Sequence, residues 1–322
     1  MRTVDAQPTL SDVKAAAERI RPYAHRTPVL TCSSLDAMTG ASLFFKCENF
    51  QKVGAFKFRG ACNAVFSLSD EEAGRGVATH SSGNHAAALS LAARLRGIPA
   101  HVVMPRTSRA VKQAAVAGYG GRIVLCEPTL AAREATLAEV VAETGAHVVH
   151  PYNEPRVIAG QGTAALELLE DVGDLDLVMT PVGGGGLLSG TAISVSSLCP
   201  STRVVAAEPV GADDAFRSLK EGRIVPSVNP QTVCDGLLTS LGSLTFTIIR
   251  ERVAEIVTAT DEATIEAMRH VWERMKIVIE PSAAVTLGAL LEGRLAVSGL
   301  RVGIILSGGN VDLSHLPWGK NP

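Results

Sequence analysis

The chain reads Val77-Ala78-Thr79-His80-Ser81-Ser82-Gly83-Asn84-His85, runs on through alanine-rich sequence to Arg96, and turns at Gly97-Ile98-Pro99 into Ala100-His101-Val102-Val103-Met104. The spacing predicts a strand over 77–79, a helix from about Asn84 to Arg96 and a second strand over 100–104. Outward from this unit the alternation continues. A helix around 109–117 leads to a strand over 122–126, and a helix over about 130–144 leads to a strand over 147–150. Short β-branched runs separated by helices of roughly 10–15 residues imply parallel strands joined by right-handed crossovers. After about residue 155 the pattern resumes, with a helix over 160–170, a strand over 177–179, a glycine loop opening a helix to 197, and strands over 204–207 and 302–306. A first helix starts near Ser11-Asp12 and ends before Pro22, and Thr260-Asp261 caps a helix carrying Ile265, Met268, Trp272 and Met275. The expected fold class is α/β with two lobes of parallel sheet. A smaller domain, 71–150, is inserted between 1–70 and 151–322 of a larger one.

At 322 residues, 46 % apolar and 19 % charged, the composition is that of a packed globular enzyme and not a disordered or fibrous chain. A net charge of −2 and 4 % aromatic residues give no footprint for nucleic acid or an anionic membrane. The N-terminal residues lack the apolar core of a secretory signal, and the most apolar stretches fall short of a membrane span. Cys32, Cys47, Cys62, Cys126, Cys199 and Cys234 form no C-x-x-C pair and lie in no histidine-rich neighbourhood, so they read as reduced thiols of a cytoplasmic protein.

Gly54-Ala55-Phe56-Lys57-Phe58-Arg59-Gly60 places one lysine between two phenylalanines. A lysine held against aromatic surface loses hydration, which lowers its pKa toward a nucleophilic neutral amine able to form a Schiff base. A surface lysine lying over apolar neighbours fits the same seven residues. Pro181-Val182-Gly183-Gly184-Gly185-Gly186-Leu187 follows a strand and opens a helix, so that backbone N–H groups and the helix dipole can cradle a phosphate. It matches neither the dinucleotide fingerprint nor the P-loop. Ser81-Ser82-Gly83-Asn84-His85 and Ser307-Gly308-Gly309-Asn310 also stand at strand ends; the first suits a carboxylate or phenolic oxygen, and an ordinary helix cap or tight turn fits each as well. His80 and His85 read as structural. Glu208 to Asp214 offers carboxylates and free carbonyls for a hard cation, or a solvated acidic helix start. Together, a phosphate cup, a desolvated lysine, and groups for a ring and a carboxylate describe what pyridoxal phosphate requires.

These segments, in this order and with Ala159-Gly160-Gln161-Gly162-Thr163 between them, resemble the fold-type II pyridoxal-phosphate enzymes of the serine racemase and serine/threonine dehydratase family. The resemblance runs from Arg26-Thr27-Pro28 to Leu313 and implies a two-lobed architecture like that of the tryptophan synthase β chain. It implies that Lys57 holds the cofactor as a Schiff base, that Gly183, Gly184, Gly185, Gly186 and Leu187 bind its phosphate, and that Asn84 bonds its phenolic oxygen. Ser307 would face the pyridine nitrogen. Ser81, Ser82, Gly83, Asn84 and His85 would grip the substrate carboxylate, with Arg133 as a second anchor. Lys57 would take the Cα proton, and Ser82 would serve as the opposite-face acid/base that permits racemisation.

By the same resemblance Glu208, the carbonyl of Ala212 and Asp214 form a Mg2+ or Ca2+ site. Lys52, Tyr119, Lys276 and Asn310 match nucleotide-binding positions of animal serine racemases, from which Ala87 and Val53 depart, and Ala55 replaces a more usual serine. No regulatory domain or isoleucine inhibition is expected. The implied function is an ammonia-lyase, in a homodimer, converting L-serine or L-threonine to a 2-oxo acid and ammonia, with serine racemase activity open. A threo-3-hydroxyaspartate dehydratase and a non-catalytic cofactor- or amino-acid-binding module are the alternatives.

Overall fold

A computed structural model describes residues 6–318. Ten strands occur among them: β1 (Val29–Leu30), β2 (Ser42–Cys47), β3 (Val77–His80), β4 (Ala100–Pro105), β5 (Arg122–Cys126), β6 (His147–Val148), β7 (Leu177–Pro181), β8 (Arg203–Pro209), β9 (Glu255–Ala259) and β10 (Arg301–Leu306). They build a six-stranded sheet, β1-β2-β10-β7-β8-β9, and a four-stranded sheet, β5-β4-β3-β6. The four-stranded sheet is parallel throughout, with Val77 opposite Ala100 and His101 opposite Arg122. In the larger sheet only β1 runs antiparallel, its Val29 opposite Lys46.

Parallel strands covered by helices on both faces need apolar residues on both faces, and β7 is buried at all five positions. Helices Pro155–Val172 and Gly186–Leu198 pack on one side of it, around Leu168, Leu188, Val195 and Val178. Helices Asp261–His270 and Pro281–Leu291 fill the other side with Met268 and Leu287, joined there by Ile279 from the segment between them.

Some elements differ from expectation. Backbone pairing in β6 stops at Val148, and Val149 only donates to Ala78 before the chain leaves the sheet. The first helix is Leu10–Ile20, capped by Thr9, whose N–H and hydroxyl both donate to Asp12 (2.8 and 2.7 Å). Helix Pro281–Leu291 escapes periodicity because it is buried on every side and so shows no polar stripe. The helix that bears Met268 ends at His270 and continues as a π-turn over Val271–Met275. The cysteines are free, four of them buried, as expected. No helix among the described residues is long and apolar enough to cross a membrane.

The topology gathers the polar segments at one edge. Residues 48–57, 81–85, 183–187 and 307–310 each follow the carboxyl end of a strand, respectively β2, β3, β7 and β10. In open α/β sheets this is the edge where ligands bind.

Candidate active site

Lys57 is the first residue of helix Lys57–Phe66 and is half-buried. Its approach is fixed by backbone bonds to the end of β10. Phe56 N–H donates to Ser307 O (3.0 Å), Gly309 N–H donates to Gly54 O (2.9 Å), and Ala55 bridges Gly308. The Lys57 ammonium donates to the carbonyl of Pro151 (2.8 Å) and stands 5.1 Å from the centre of the Phe56 ring. Burial lowers its pKa to about 8, and the nearby Glu280 carboxylate pulls in the opposite direction.

The loop holding Pro151 also builds the glycine cup. His150 Nδ1 accepts from the N–H groups of Tyr152 (3.3 Å) and Asn153 (2.9 Å), which shapes the turn. A Cβ at Gly184 would lie 2.3 Å from the Tyr152 ring, so no side chain fits there. Gly185 has φ +88°, a left-handed conformation open to glycine at no steric cost. Asn153 Oδ1 accepts from Leu244 N–H (2.9 Å), and Thr245 donates its hydroxyl to Gly184 O (2.9 Å), clamping the loop from outside. Among the described residues, the N–H groups of Gly183, Gly184, Gly185, Gly186 and Leu187 have no hydrogen-bond acceptor. Five free donors at a helix N-terminus, packed on Tyr152 next in the chain to the Pro151 carbonyl that holds Lys57, make an anion cradle beside a nucleophilic amine.

The 81–85 segment is anchored by Ser81 N–H on Val103 O (3.2 Å), and Gly83 N–H turns back to Ser81 Oγ (3.4 Å). The N–H groups of Ser82, Asn84 and His85 are free of acceptors among the described residues. Asn84 donates to both oxygens of Glu280 (3.0 and 3.3 Å) and accepts from Asn310 Nδ2 (3.0 Å). His85 is buried, with Nε2 3.2 Å from Val149 O, and burial holds its pKa down near 3; burial likewise lowers His150 to about 4. Both are neutral imidazoles that pack the site, in keeping with a structural role for His85.

Lys57, Asn84, Ser307 and the glycine cup are therefore joined through one or two intervening residues. Arg133 is not. It lies on helix Leu130–Thr144, its Nε is buried without a partner, and it is near enough to His80 to help burial lower that imidazole's pKa. Glu208, near the end of β8, and Ala212 and Asp214 just after it form a separate buried group. Glu208 accepts from the N–H groups of Ala215 (3.1 Å) and Phe216 (2.9 Å), and burial raises it to about 9 and Asp214 to about 6. No cluster of three or more His, Cys, Asp or Glu suited to a metal occurs among the described residues. A cation here would depend on the Ala212 carbonyl.

Sequence reasoning missed Pro151, Tyr152, Asn153 and Glu280. The first three lie in a loop with no motif. Glu280 precedes a proline before an apolar run, a placement that could have marked a helix N-cap but nothing more.

A family model described as "Pyridoxal-phosphate dependent enzyme" matches residues 20–308. The chain is 57 % identical to a beta-hydroxyaspartate dehydratase of Paracoccus denitrificans, over 97 % of this chain and 99 % of that protein. The crystal structure of a serine racemase from Dictyostelium discoideum superposes with a TM-score of 0.92 at 51 % identity, covering 96 % of this chain and 100 % of that one. A threonine deaminase from T.th. gives 0.91 at 45 %, with the same coverage. With the lysine, the glycine cup and the family match spanning one site, the chain belongs to the pyridoxal-phosphate dependent enzymes.

Proposed function

We propose that this enzyme is an ammonia-lyase for β-hydroxy amino acids, removing water and then ammonia to leave a 2-oxo acid, with L-serine and L-threonine as substrates. The observation that carries the reading is the Lys57 amine, desolvated and free of any carboxylate contact, beside a cup of five unfilled N–H donors. The residues fit the cofactor. The cup admits no side chain at Gly184, and Ser307, 3 % exposed, offers a hydroxyl and not a carboxylate. When bound, pyridoxal phosphate supplies the electron sink that makes the substrate Cα–H acidic.

The chain's own groups then divide the work. Gly183 to Leu187 would hold the phosphate through N–H groups, and Asn84 would donate to the phenolic oxygen. The free N–H groups of Ser82, Asn84 and His85 hold the substrate carboxylate. Lys57, neutral above about pH 8, receives the Cα proton. The Ser82 hydroxyl stands as acid/base for the opposite face. Loss of the β-hydroxyl as water and hydrolysis of the resulting enamine complete the reaction.

A second reading, 3-hydroxyaspartate as substrate, is favoured by the 57 % identity to a beta-hydroxyaspartate dehydratase and by the unpartnered Arg133 Nε, a cation able to meet a second carboxylate. For Glu208, Asp214 and the Ala212 carbonyl we infer a Mg2+ or Ca2+ site. The two Asp214 oxygens are buried without a well-formed hydrogen bond, although the Ser227 side chain favours the ionised form. A divalent cation there offsets the desolvation that otherwise favours protonation of both acids.

The test is incubation of purified protein, saturated with pyridoxal phosphate, with L-serine, L-threonine, D-serine and the 3-hydroxyaspartates, following oxo-acid release and chirality. Oxo acid is expected from at least one hydroxy amino acid; none from any of them would end the lyase reading. Ser82→Ala is expected to cut racemisation by on the order of 10²-fold, the scale of one positioned acid/base, while elimination falls much less. Equal loss of both rates would remove the opposite-face role.

A further inference from the structure

Glu280 is 4 % exposed and precedes helix Pro281–Leu291. Besides Asn84 Nδ2, its carboxylate accepts the backbone N–H of Asn310 (3.1 Å). Asn310 Nδ2 donates in turn to Val53 O (2.7 Å) and Asn84 Oδ1 (3.0 Å). The chain of bonds has only one polarity. The Val53 carbonyl can only accept, so the nitrogen of Asn310 must face it. The same nitrogen reaches Asn84, so the oxygen of Asn84 must face Asn310. The nitrogen of Asn84 is then left to Glu280, whose pKa burial raises to about 7; above that pH the carboxylate is ionised and only accepts. Val53 itself has φ +58°, a left-handed conformation rare for a β-branched residue, and it stands four residues before Lys57. Strain of this kind persists only where surrounding contacts hold it, and here the Asn310 amide does so.

We propose that Glu280 is a positioning residue that acts through Asn84: its carboxylate takes one Asn84 amide hydrogen and, with Asn310 on the amide oxygen, leaves Asn84 only a hydrogen to give, so that it meets the phenolic oxygen of the cofactor solely as a donor. The proposal rests on the reading of Asn84 and Lys57 given above. Glu280 has a second, electrostatic effect. Its negative charge raises the pKa of Lys57 against the lowering due to burial. The other charged groups facing Glu280 are Asp235 and Lys112, and those near Lys57 are His85 and His150, both held neutral by burial.

Glu280→Gln and Glu280→Asp in the full-length chain test this with two readouts other than turnover. One is pyridoxal phosphate affinity by absorbance. The other is the pH midpoint of Lys57 amine labelling before cofactor is added, followed by peptide mass. Glu280→Gln is expected to weaken cofactor binding about tenfold, the scale of one lost charge-assisted bond, and to move the midpoint to lower pH because the nearby anion is gone. Glu280→Asp keeps the charge with a shorter reach, so it weakens binding while the midpoint stays near that of the wild type. A carboxylate that merely packs the site predicts the opposite sign: loosening would rehydrate Lys57 and raise the midpoint. An upward shift, or unchanged cofactor binding in Glu280→Gln, overturns the proposal. Borohydride reduction of the wild type separates the two levels. An adduct on a lysine other than Lys57 sinks the site assignment and this proposal with it, whereas an adduct on Lys57 with an unaltered Glu280→Gln sinks the proposal alone.

Discussion

Alanine in place of Lys57 is expected to abolish the Schiff-base absorbance band and to lower turnover by about four orders of magnitude, the upper range for a positioned acid/base. Lys46, Lys52 and Lys57 differ in what surrounds their side-chain nitrogens. Lys46 is fully buried, but its nitrogen lies 2.7 Å from Glu167 and donates to Thr27 O, so it is already engaged by a carboxylate and a carbonyl. Lys52 lies over the Phe58 ring, 5.7 Å from its centre. Lys57 alone of the three is desolvated to about pH 8 with a carbonyl as its hydrogen-bond partner and no salt bridge. A neutral amine is the form that attacks an aldehyde, and only desolvation without a paired anion makes it accessible near neutral pH. The glycine cup is untouched by the substitution, so Lys57→Ala should still bind pyridoxal phosphate through its phosphate, without a covalent link. Reduction with borohydride followed by peptide mapping is the check. A cofactor adduct persisting in Lys57→Ala, on Lys52 or Lys46, would show that another lysine carries the chemistry.

How much of this could be read from residue order depends on what kind of signal each part leaves. The four-stranded sheet was legible because its strands are short β-branched runs set off by glycine turns, a local pattern. The glycine cup was legible because four consecutive glycines at a strand-to-helix junction have few other uses. The Ala159-Gly160-Gln161-Gly162-Thr163 segment was read as a family signature without a physical role, and the fold supplies one. A Cβ at Gly160 would lie 2.7 Å from the Cα of Gly60, so the helix that starts at Lys57 can seat against helix Pro155–Val172 only because both positions are bare. That contact joins residues a hundred positions apart, and no window along the chain contains it. Pro151 and Tyr152 were illegible for the same reason: their roles come from a backbone carbonyl and a ring face, neither of which constrains residue type strongly. Arg133 came only from the family resemblance, and the fold adds what residue order does not convey: its Nε is buried without a partner, close to His80.

Arg59→Met is expected to destabilise the protein by about 3–5 kcal/mol, the cost of stranding a buried charge. Arg59 is fully buried two residues after Lys57, and its guanidinium is forked on both sides. Nε and Nη2 donate to Glu48 (2.7 and 2.8 Å), and Nη1 and Nη2 donate to Glu167 (both 2.7 Å). Burial opposes the charge on Arg59, and Glu48 and Glu167 more than offset it, so its pKa is raised. Glu167 shows the reciprocal effect, with burial pushing its carboxyl up and Arg59 and Lys46 pulling it below the usual range.

Methionine keeps much of the volume but leaves Glu48, also fully buried, with no cation in contact. At about 2 °C per kcal/mol for a chain of this size, the melting temperature should fall by on the order of 10 °C at pH 7. The sign of the pH effect follows from Glu167. Its depressed folded-state pKa contributes stability that is present above the unfolded value and lost as pH falls through the folded value. Removing Arg59 removes its share of that contribution while Lys46 keeps the rest, so the gap between wild type and variant should narrow as pH drops through the carboxylate range. Because the guanidinium fixes the first turn of the helix bearing Lys57, cofactor affinity should weaken alongside stability. Adding Glu48→Gln to Arg59→Met should recover part of the loss, since the stranded charge goes with it. Calorimetry at pH 7 and at a pH below the unfolded glutamate value of about 4.3 decides the matter: an equal gap at both pH values, or no recovery in the double variant, would mean that the methionine is felt through packing and not through the buried charges.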